Sequence, residues 1–161
     1  MQYELNTPCT AADLAPLKAG DTVLLSGVVY TARDQAHKRM LEALDQGEKL
    51  PFDLEGSAIY YVGPTPERPG EVIGSAGPTT SGRMDAMSPR LLDLGNKIMI
   101  GKGKRDAAVK EAVVRNGAVY LAALGGAGAL MAQSVQTLEV IAWPDLGCEA
   151  VRRLTVEKMP L

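Results

Sequence analysis

The stretch Leu24-Leu25-Ser26-Gly27-Val28-Val29-Tyr30-Thr31-Ala32-Arg33-Asp34 indicates the fold class, because it carries a strand directly into a helix. Its first seven residues are apolar and rich in β-branched side chains, which is typical of a strand. Asp34 is a good N-cap, and an arginine precedes it at the junction. Apolar residues then recur at helical spacing and stop before Gly47: Ala36, Met40, Leu41 and Leu44.

A second strand-to-helix junction is expected around Gly77-Pro78-Thr79-Thr80-Ser81-Gly82-Arg83-Met84-Asp85. The run 71–76 predicts a strand that the Gly-Pro pair ends, and Ser81 or Thr80 is placed to cap a helix over about 84–95. A helix N-terminus beside a guanidinium is a natural carboxylate site, since unpaired N–H groups and the macrodipole both attract an anion. A plain capped helix, with the arginine on its solvated face, is the alternative.

A third junction lies in the basic turn Met99-Ile100-Gly101-Lys102-Gly103-Lys104-Arg105-Asp106, which follows the strand-like run Lys97–Ile100. Asp106 is placed to open the next helix. If the three strands share a parallel sheet, the three cationic junctions gather at the carboxyl ends of those strands. That arrangement points to a small dianionic or polyanionic ligand, although a solvated basic loop would explain the third turn equally well.

The remaining patterns extend the alternation of strands and helices, so we expect one α/β domain over residues 1–161. The continuous apolar run 118–124 predicts a strand covered on both faces. The other predicted elements are a short helix over 11–19, a helix over 107–116, a helix from about 125 to 135, a strand over 138–142 and a final edge strand over 151–156.

Composition excludes several classes of function. The formal net charge of −2 and the aromatic share of 4% give no reason to expect a nucleic-acid partner. No apolar run approaches the length of a membrane-spanning helix, and the N-terminus lacks the basic start and apolar core of a signal peptide. Cys9 and Cys148 lie far apart and have no metal-ligand spacing, so they read as free cytosolic thiols and predict a cytoplasmic protein.

His37 is the only histidine in the chain. Its helical angle falls between Met40 and Leu44 on the apolar face, one turn from Arg33. A histidine in that position is more often a hydrogen-bonded core residue than a catalyst, and both interpretations stay open at this point.

Four segments in this order resemble the β subunit of class I, iron–sulfur-dependent fumarate hydratase, which is the C-terminal domain in single-chain members. The segments are Tyr30–Arg39, Tyr60–Pro66, Gly77–Asp85 and Ile100–Arg105, and the resemblance runs from Leu5 to about Pro160. It implies the swivelling β/β/α fold, with the junctions forming the anion site. It also implies a hydro-lyase of the tricarboxylic acid cycle, which hydrates fumarate reversibly to (S)-malate.

The resemblance also implies a 4Fe-4S cluster that is carried by a partner α subunit and not by this chain. Such clusters are held chiefly by cysteine thiolates, and two isolated cysteines cannot supply them. The chain is therefore expected to be active only with its α subunit, in an (αβ)2 assembly. Met1 directly before the domain suggests a separate polypeptide, although a cloned domain with an added start codon would look identical.

The resemblance assigns substrate-binding residues by position. Arg33 and Arg83 match arginines that grip the substrate carboxylate left free by the cluster, and a bidentate fork from each would fix one pose. Thr80 and His37 are placed with them as substrate-binding residues. No metal ligand is assigned to this chain.

Two further positions match residues of the reaction itself. Thr79 matches the residue proposed to take the C3 proton, and its hydroxyl needs activation because threonine is a poor base. Lys102 matches a lysine at the substrate that would neutralise charge developing on the carboxylate, with Lys104 as the less favoured candidate.

Two other functions remain. One is the L(+)-tartrate dehydratase β subunit, whose members carry a cysteine-rich first junction and lack the Tyr60–Pro66 form of the second segment. The sequence Thr31-Ala32-Arg33-Asp34-Gln35-Ala36-His37 favours the fumarate hydratase version. The other is a non-catalytic anion-binding or assembly module.

Overall fold

A computed structural model describes residues 1–123 and 128–161, and it has a mixed α/β architecture. The strands are β1 (Gln2–Asn6), β2 (Thr22–Thr31), β3 (Ala58–Tyr60), β4 (Ile98–Gly101), β5 (Val119–Ala122), β6 (Val135–Ala142) and β7 (Val151–Pro160). The helices are α1 (Ala11–Leu14), α2 (Asp34–Asp45), α3 (Ser88–Asp93), α4 (Ala107–Asn116) and α5 (Gly128–Gln133), with short 3-10 helices at Ser81–Met84 and Pro144–Glu149.

The strands form one seven-stranded sheet in the described part of the chain, in the order β5-β4-β3-β2-β7-β6, with β1 paired to the first half of β2. Strands β2, β3, β4 and β5 are parallel neighbours, whereas β7 runs antiparallel to both β2 and β6. The carboxyl ends of β2, β3 and β4 therefore meet at one edge, where the first and third predicted junctions follow β2 and β4.

Both faces of the sheet are covered, and the alternation of side chains along β3 and β4 divides them between two cores. Tyr60 and Ile100 belong to one core, which the segment around Ile73 and α5 help to close. Tyr61 and Met99 belong to the other, together with the apolar sides of α2, α3 and α4. The predicted strand–helix pairs β2–α2 and β4–α4 are confirmed.

The strand predicted over 71–76 is wrong, because this segment bonds to the loop at Thr65 and to the first residue of α5 rather than to the sheet. The Thr65 N–H donates to the Ser75 carbonyl at 3.0 Å, and the Ala76 N–H donates to the Gly128 carbonyl at 3.1 Å. Ile73 and Ala76 are nonetheless buried, which explains why the segment reads as apolar as a strand.

The continuous helix predicted over 84–95 is also wrong. It is divided into the 3-10 helix at 81–84 and α3, because Pro89 lies in the first turn of α3, where it has no N–H to donate to the Asp85 carbonyl and its ring disfavours a helical bond to that carbonyl. Neither Thr80 nor Ser81 makes a side-chain cap. The Ser81 hydroxyl instead lies 2.7 Å from the Tyr120 hydroxyl.

Asp34 is not the N-cap of α2, since Arg33 occupies that position and makes no side-chain cap. The Asp34 carboxylate pairs with Arg83 instead. Asp106 does cap α4, with its carboxylate accepting from the Val109 N–H at 3.0 Å, and Gly117 ends that helix at φ 62°.

Several strand and helix boundaries differ from the predicted ones. β7 is longer than predicted and is no edge strand, because it pairs on both sides. β5 is partly exposed and, among the described residues, pairs only with β4. α1 ends before Pro16. The start of the helix predicted from 125 lies outside the described residues, and its last predicted residue, Val135, belongs to β6.

Candidate functional site

The segment after Gly77 lies along the ends of β3 and β4. The Thr79 N–H donates to the Tyr61 carbonyl at 2.7 Å, and the Ser81 N–H donates to the Lys102 carbonyl at 2.8 Å. Gly101 permits this close approach, because a Cβ there would collide with the Ser81 hydroxyl and the Tyr61 ring. The second and third junctions are thereby joined.

An ion pair joins the second junction to the first. Nε and Nη2 of Arg83 both lie 2.9 Å from Oδ2 of Asp34, the first residue of α2. The Arg83 side chain keeps 51% of its surface exposed and Asp34 keeps 24%, so the pair lies at the rim of the edge. All three junctions predicted from the sequence are therefore in contact.

Three buried side-chain polar atoms lack a hydrogen-bond partner among residues 1–123 and 128–161, and all three belong to the first junction. They are Nε of Arg33, Oδ1 of Asp34 and Nε2 of His37. A buried polar group without a partner is destabilising by roughly 1–3 kcal/mol, so such groups are rare and call for an explanation. Their clustering within five consecutive residues marks this turn as the place where a ligand would complete the hydrogen bonding.

Arg33 reaches this site past Gly63, a residue of the Tyr60–Pro66 segment. A Cβ on Gly63 would come within 2.9 Å of Nη1 of Arg33 and within 3.1 Å of the Cys148 carbonyl. The glycine therefore makes room for the guanidinium. This contact gives a physical reason for the segment Tyr60–Pro66 to occur together with the segment Tyr30–Arg39.

His37 is completely buried and holds the backbone of Arg33 through two contacts with its carbonyl. The carbonyl of Arg33 accepts from the His37 backbone N–H at 2.9 Å and lies 2.8 Å from Nδ1, which must therefore carry the proton. The ring also meets that of Tyr61 edge-on, with 5.5 Å between centroids. Burial lowers the pKa of His37 to about 4, against the opposing effect of the bond to the carbonyl, so the imidazole is neutral at neutral pH.

Thr79, Thr80, Lys102 and Lys104 lie at the same edge, and their side chains make no hydrogen bond or ion pair with any described residue. Thr79 is partly buried, whereas Thr80 and both lysines are exposed. These two hydroxyls and two ammonium groups are therefore without an internal partner in the described part of the chain.

Arg105 has a structural role that the sequence did not indicate. Its side chain is 3% exposed, and Nε donates to Oδ1 of Asp85 at 2.7 Å while Nη2 donates to Ser88 at 2.9 Å. The guanidinium also lies over the rings of Tyr61 and Tyr120, at 5.1 and 5.0 Å. Arg105 thus fixes the segment 81–88 against the end of β4. The sequence feature that could have indicated this role is that an acidic residue, Asp85, and a basic residue, Arg105, each end one of the four segments.

The described residues do not fit an iron–sulfur cluster. No group of three or more His, Cys, Asp or Glu residues gathers in that part of the chain. Cys9 is buried with its thiol 3.2 Å from the Asn6 carbonyl, and burial raises its pKa, whereas Cys148 is exposed. No helix within residues 1–123 or 128–161 combines the length and apolarity needed to cross a membrane.

Comparison with known proteins gives a consistent family. The profile of the family described as Fumarase C-terminus matches residues 1–161. The chain is 37% identical to the aerobic class I fumarate hydratase of Escherichia coli K12 over 99% of its own length and 30% of that relative. It is 42% identical to a putative L(+)-tartrate dehydratase subunit beta of Methanocaldococcus jannaschii, with 97% and 82% covered. It is 33% identical to the L(+)-tartrate dehydratase subunit beta of Escherichia coli K12, with 91% and 73% covered.

Proposed function

The chain belongs to the Fumarase C-terminus family, and from that premise we propose that it is the β subunit of an iron–sulfur-dependent fumarate hydratase. In this role it contributes carboxylate-binding and acid–base residues to the reversible hydration of fumarate to (S)-malate. The chain spans about 30% of the length of the E. coli fumarate hydratase it matches, and the proposal assigns the rest of the active site to another polypeptide. A partner α subunit would supply it, as the "subunit beta" in the names of two relatives suggests.

The observation that carries the proposal is the turn at the start of α2, where the buried Nε donor of Arg33 has no partner in the described part of the chain and suits a carboxylate. Oδ1 of Asp34 and Nε2 of neutral His37 also lack partners there, but both are acceptors and suit a hydroxyl donor. Arg83 joins the same turn through Asp34. Two guanidinium groups at the carboxyl edge of a parallel sheet suit one end of a dicarboxylate, because each offers a planar fork of N–H donors to a carboxylate.

The residues would divide the work as follows. Arg33 and Arg83 bind one substrate carboxylate and orient the carbon skeleton, with Thr80 beside them. Neutral His37 holds the backbone of Arg33 and contributes to substrate binding through that residue. Thr79 takes or returns the proton at C3, and Lys102 rather than Lys104 neutralises charge developing on the carboxylate.

The cofactor of the proposed enzyme is a 4Fe-4S cluster on the α subunit, where it would act as a Lewis acid on the substrate hydroxyl. We place no ligand of it on this chain, since the two cysteines lie apart, one buried and one exposed. The proposal further takes residues 1–161 as one domain of the swivelling β/β/α type, in a cytoplasmic (αβ)2 assembly.

The second candidate is the β subunit of an L(+)-tartrate dehydratase. It is favoured by the 42% identity to a relative of that name, of which the chain covers 82%. Both activities remove water from a hydroxydicarboxylate, so the same arginines would serve either. Assays of the assembled complex with (S)-malate, fumarate and L(+)-tartrate separate the two, and a complex inactive on all three would favour a non-catalytic module.

The experiment that tests the site uses the complex with its cluster-bearing partner. A charge-assisted hydrogen bond contributes about 1.5–3 kcal/mol, so Arg33→Ala or Arg83→Ala should lower kcat/KM for malate by about tenfold or more. Arg→Lys should restore only part of it, because an ammonium cannot copy the fork. The matched control is Arg90→Ala, which removes the exposed Arg90–Asp45 pair and should leave kcat/KM unchanged. Wild-type efficiency in both folded site variants would refute the assignment.

A further inference from the structure

Asp34 is a carboxylate within a site that should attract carboxylates, and its contact with Arg83 explains its presence. Nε and Nη2 of Arg83 converge on the single oxygen Oδ2, both at 2.9 Å. These two nitrogens form one edge of the guanidinium, so the pair fixes the plane and direction of the group. We infer that Asp34 is a positioning residue, which holds Arg83 ready for a substrate carboxylate. This inference rests on the proposed function.

The Asp34 contact leaves the other edge of Arg83 available. A guanidinium carries five N–H donors, and Asp34 accepts from one edge only. Nη1 and the second hydrogen of Nη2 have no partner among residues 1–123 and 128–161. That edge has the spacing of a bidentate carboxylate fork, and half of the side-chain surface is exposed to receive one.

Asp34 is itself held in place by the fold. It is the first residue of a twelve-residue helix, where the macrodipole favours a negative charge, and it directly follows Arg33. Arg83 lies on a four-residue 3-10 helix, which restrains a long side chain far less. Helix α2 thus orients Arg83 through Asp34. Because Arg83 is already ordered before binding, less side-chain conformational entropy is lost when the substrate binds.

A purely structural ion pair would behave differently. The pair is partly buried and Asp34 also lies at the positive end of α2, so loss of its carboxylate should lower the thermal midpoint modestly in either case. A purely structural pair would lose only stability, whereas a positioning role predicts a loss in catalysis as well. The control is Asp45→Asn, which removes the exposed Asp45–Arg90 pair at the other end of the same helix.

The test is a double-mutant cycle in the complex with the cluster-bearing partner. Asp34→Asn should lower kcat/KM for malate by about tenfold or more, chiefly through KM, and Asp34→Glu should restore part of it. In an Arg83→Ala background, Asp34→Asn should have no further effect, because Asp34 acts through Arg83. The Ki of succinate should rise with the KM of malate in the Asp34 variant and stay unchanged in Asp45→Asn.

The outcomes separate the two proposals. A folded Asp34→Asn complex with wild-type kcat/KM, or one whose loss adds fully to that of Arg83→Ala, overturns the positioning role while the proposed function stands. If the wild-type complex shows no hydratase activity, the proposed function fails and the role of Asp34 fails with it. Should Asp34→Asn not fold, the same cycle run with Asp34→Ser, which also removes the carboxylate, decides.

Discussion

Thr79 and Thr80 are neighbours with different surroundings at the residue scale. The Thr79 backbone is bonded to the end of β3, and its side chain is partly buried, whereas Thr80 is exposed and bridges to Lys102 through its backbone. Neither hydroxyl has a partner among the described residues. A hydroxyl that moves a proton during the reaction should be the more enclosed one, because exclusion of water strengthens its interaction with the substrate.

Replacing each threonine with valine tests this difference in the assembled complex. Thr79→Val keeps the shape and should lower kcat by roughly 10²–10⁴-fold, as expected for loss of a general acid–base group. It should also abolish exchange of the malate C3 proton with solvent deuterium. Thr80→Val should act mainly on KM. The reverse pattern would assign the transfer of the C3 proton to Thr80. If neither variant lost activity, that proton would be transferred by a residue of the partner subunit or by water.

His37 predicts how stability depends on pH. Its pKa of about 4 in the folded chain lies below the usual 6.5, so the unfolded chain binds the proton first. The free energy of unfolding should therefore fall as pH decreases from 6.5 to 4, by roughly 3 kcal/mol from this group. Urea unfolding of the wild type and His37→Asn across that range isolates the effect. Identical pH slopes in the two proteins would contradict it.

At the scale of the secondary-structure elements, Arg105 and Asp85 join α3 and its preceding 3-10 helix to the end of β4. The pair is almost fully buried, with side-chain exposures of 3% and 13%. Removing one partner of a buried ion pair leaves an uncompensated charge, so Asp85→Ala should lower the free energy of unfolding by about 3 kcal/mol. Equilibrium denaturation measures it.

The exposed Arg115–Asp93 pair provides the control for that measurement. Its side chains keep 51% and 46% of their surface, so Asp93→Ala should lower the free energy of unfolding by less than about 1 kcal/mol. Equal losses in the two variants would show that Arg105 is stabilised by Ser88 and the aromatic rings rather than by Asp85.

The junctions also show which features of the fold the sequence could predict and why it could not predict the others. The local patterns of β2, α2, β4 and α4 agree with their surroundings, so their period predicted them, together with the Asp106 cap of α4. The segment 71–76 is apolar because it closes a core, yet its backbone bonds to a loop and to the start of α5 rather than to a strand, and periodicity cannot distinguish these environments. Contacts such as Gly63 with Arg33 or Asp34 with Arg83 join distant segments, so spacing alone could not place them.

At the scale of the whole molecule, the described residues supply cations and hydroxyls at one edge but no grouped metal ligands. A site of that composition can bind and orient a dicarboxylate. It lacks the electrophile that removal of a hydroxide from malate requires, which in the proposed enzyme is the partner's cluster. The chain is on this view one half of an active site that closes only in the complex.

The isolated chain should therefore be colourless and inactive. After anaerobic reconstitution with iron and sulfide, we expect no cluster absorbance and no hydration of fumarate, while the complex with the cluster-bearing partner shows both. Replacing Cys9 with Ala and Cys148 with Ser should leave the absorbance and activity of the complex intact, because neither thiol belongs to a group of three or more metal-binding side chains in the described chain. A stable cluster with turnover in the isolated chain, or loss of the cluster in the cysteine variant, would show that this chain contributes ligands of its own.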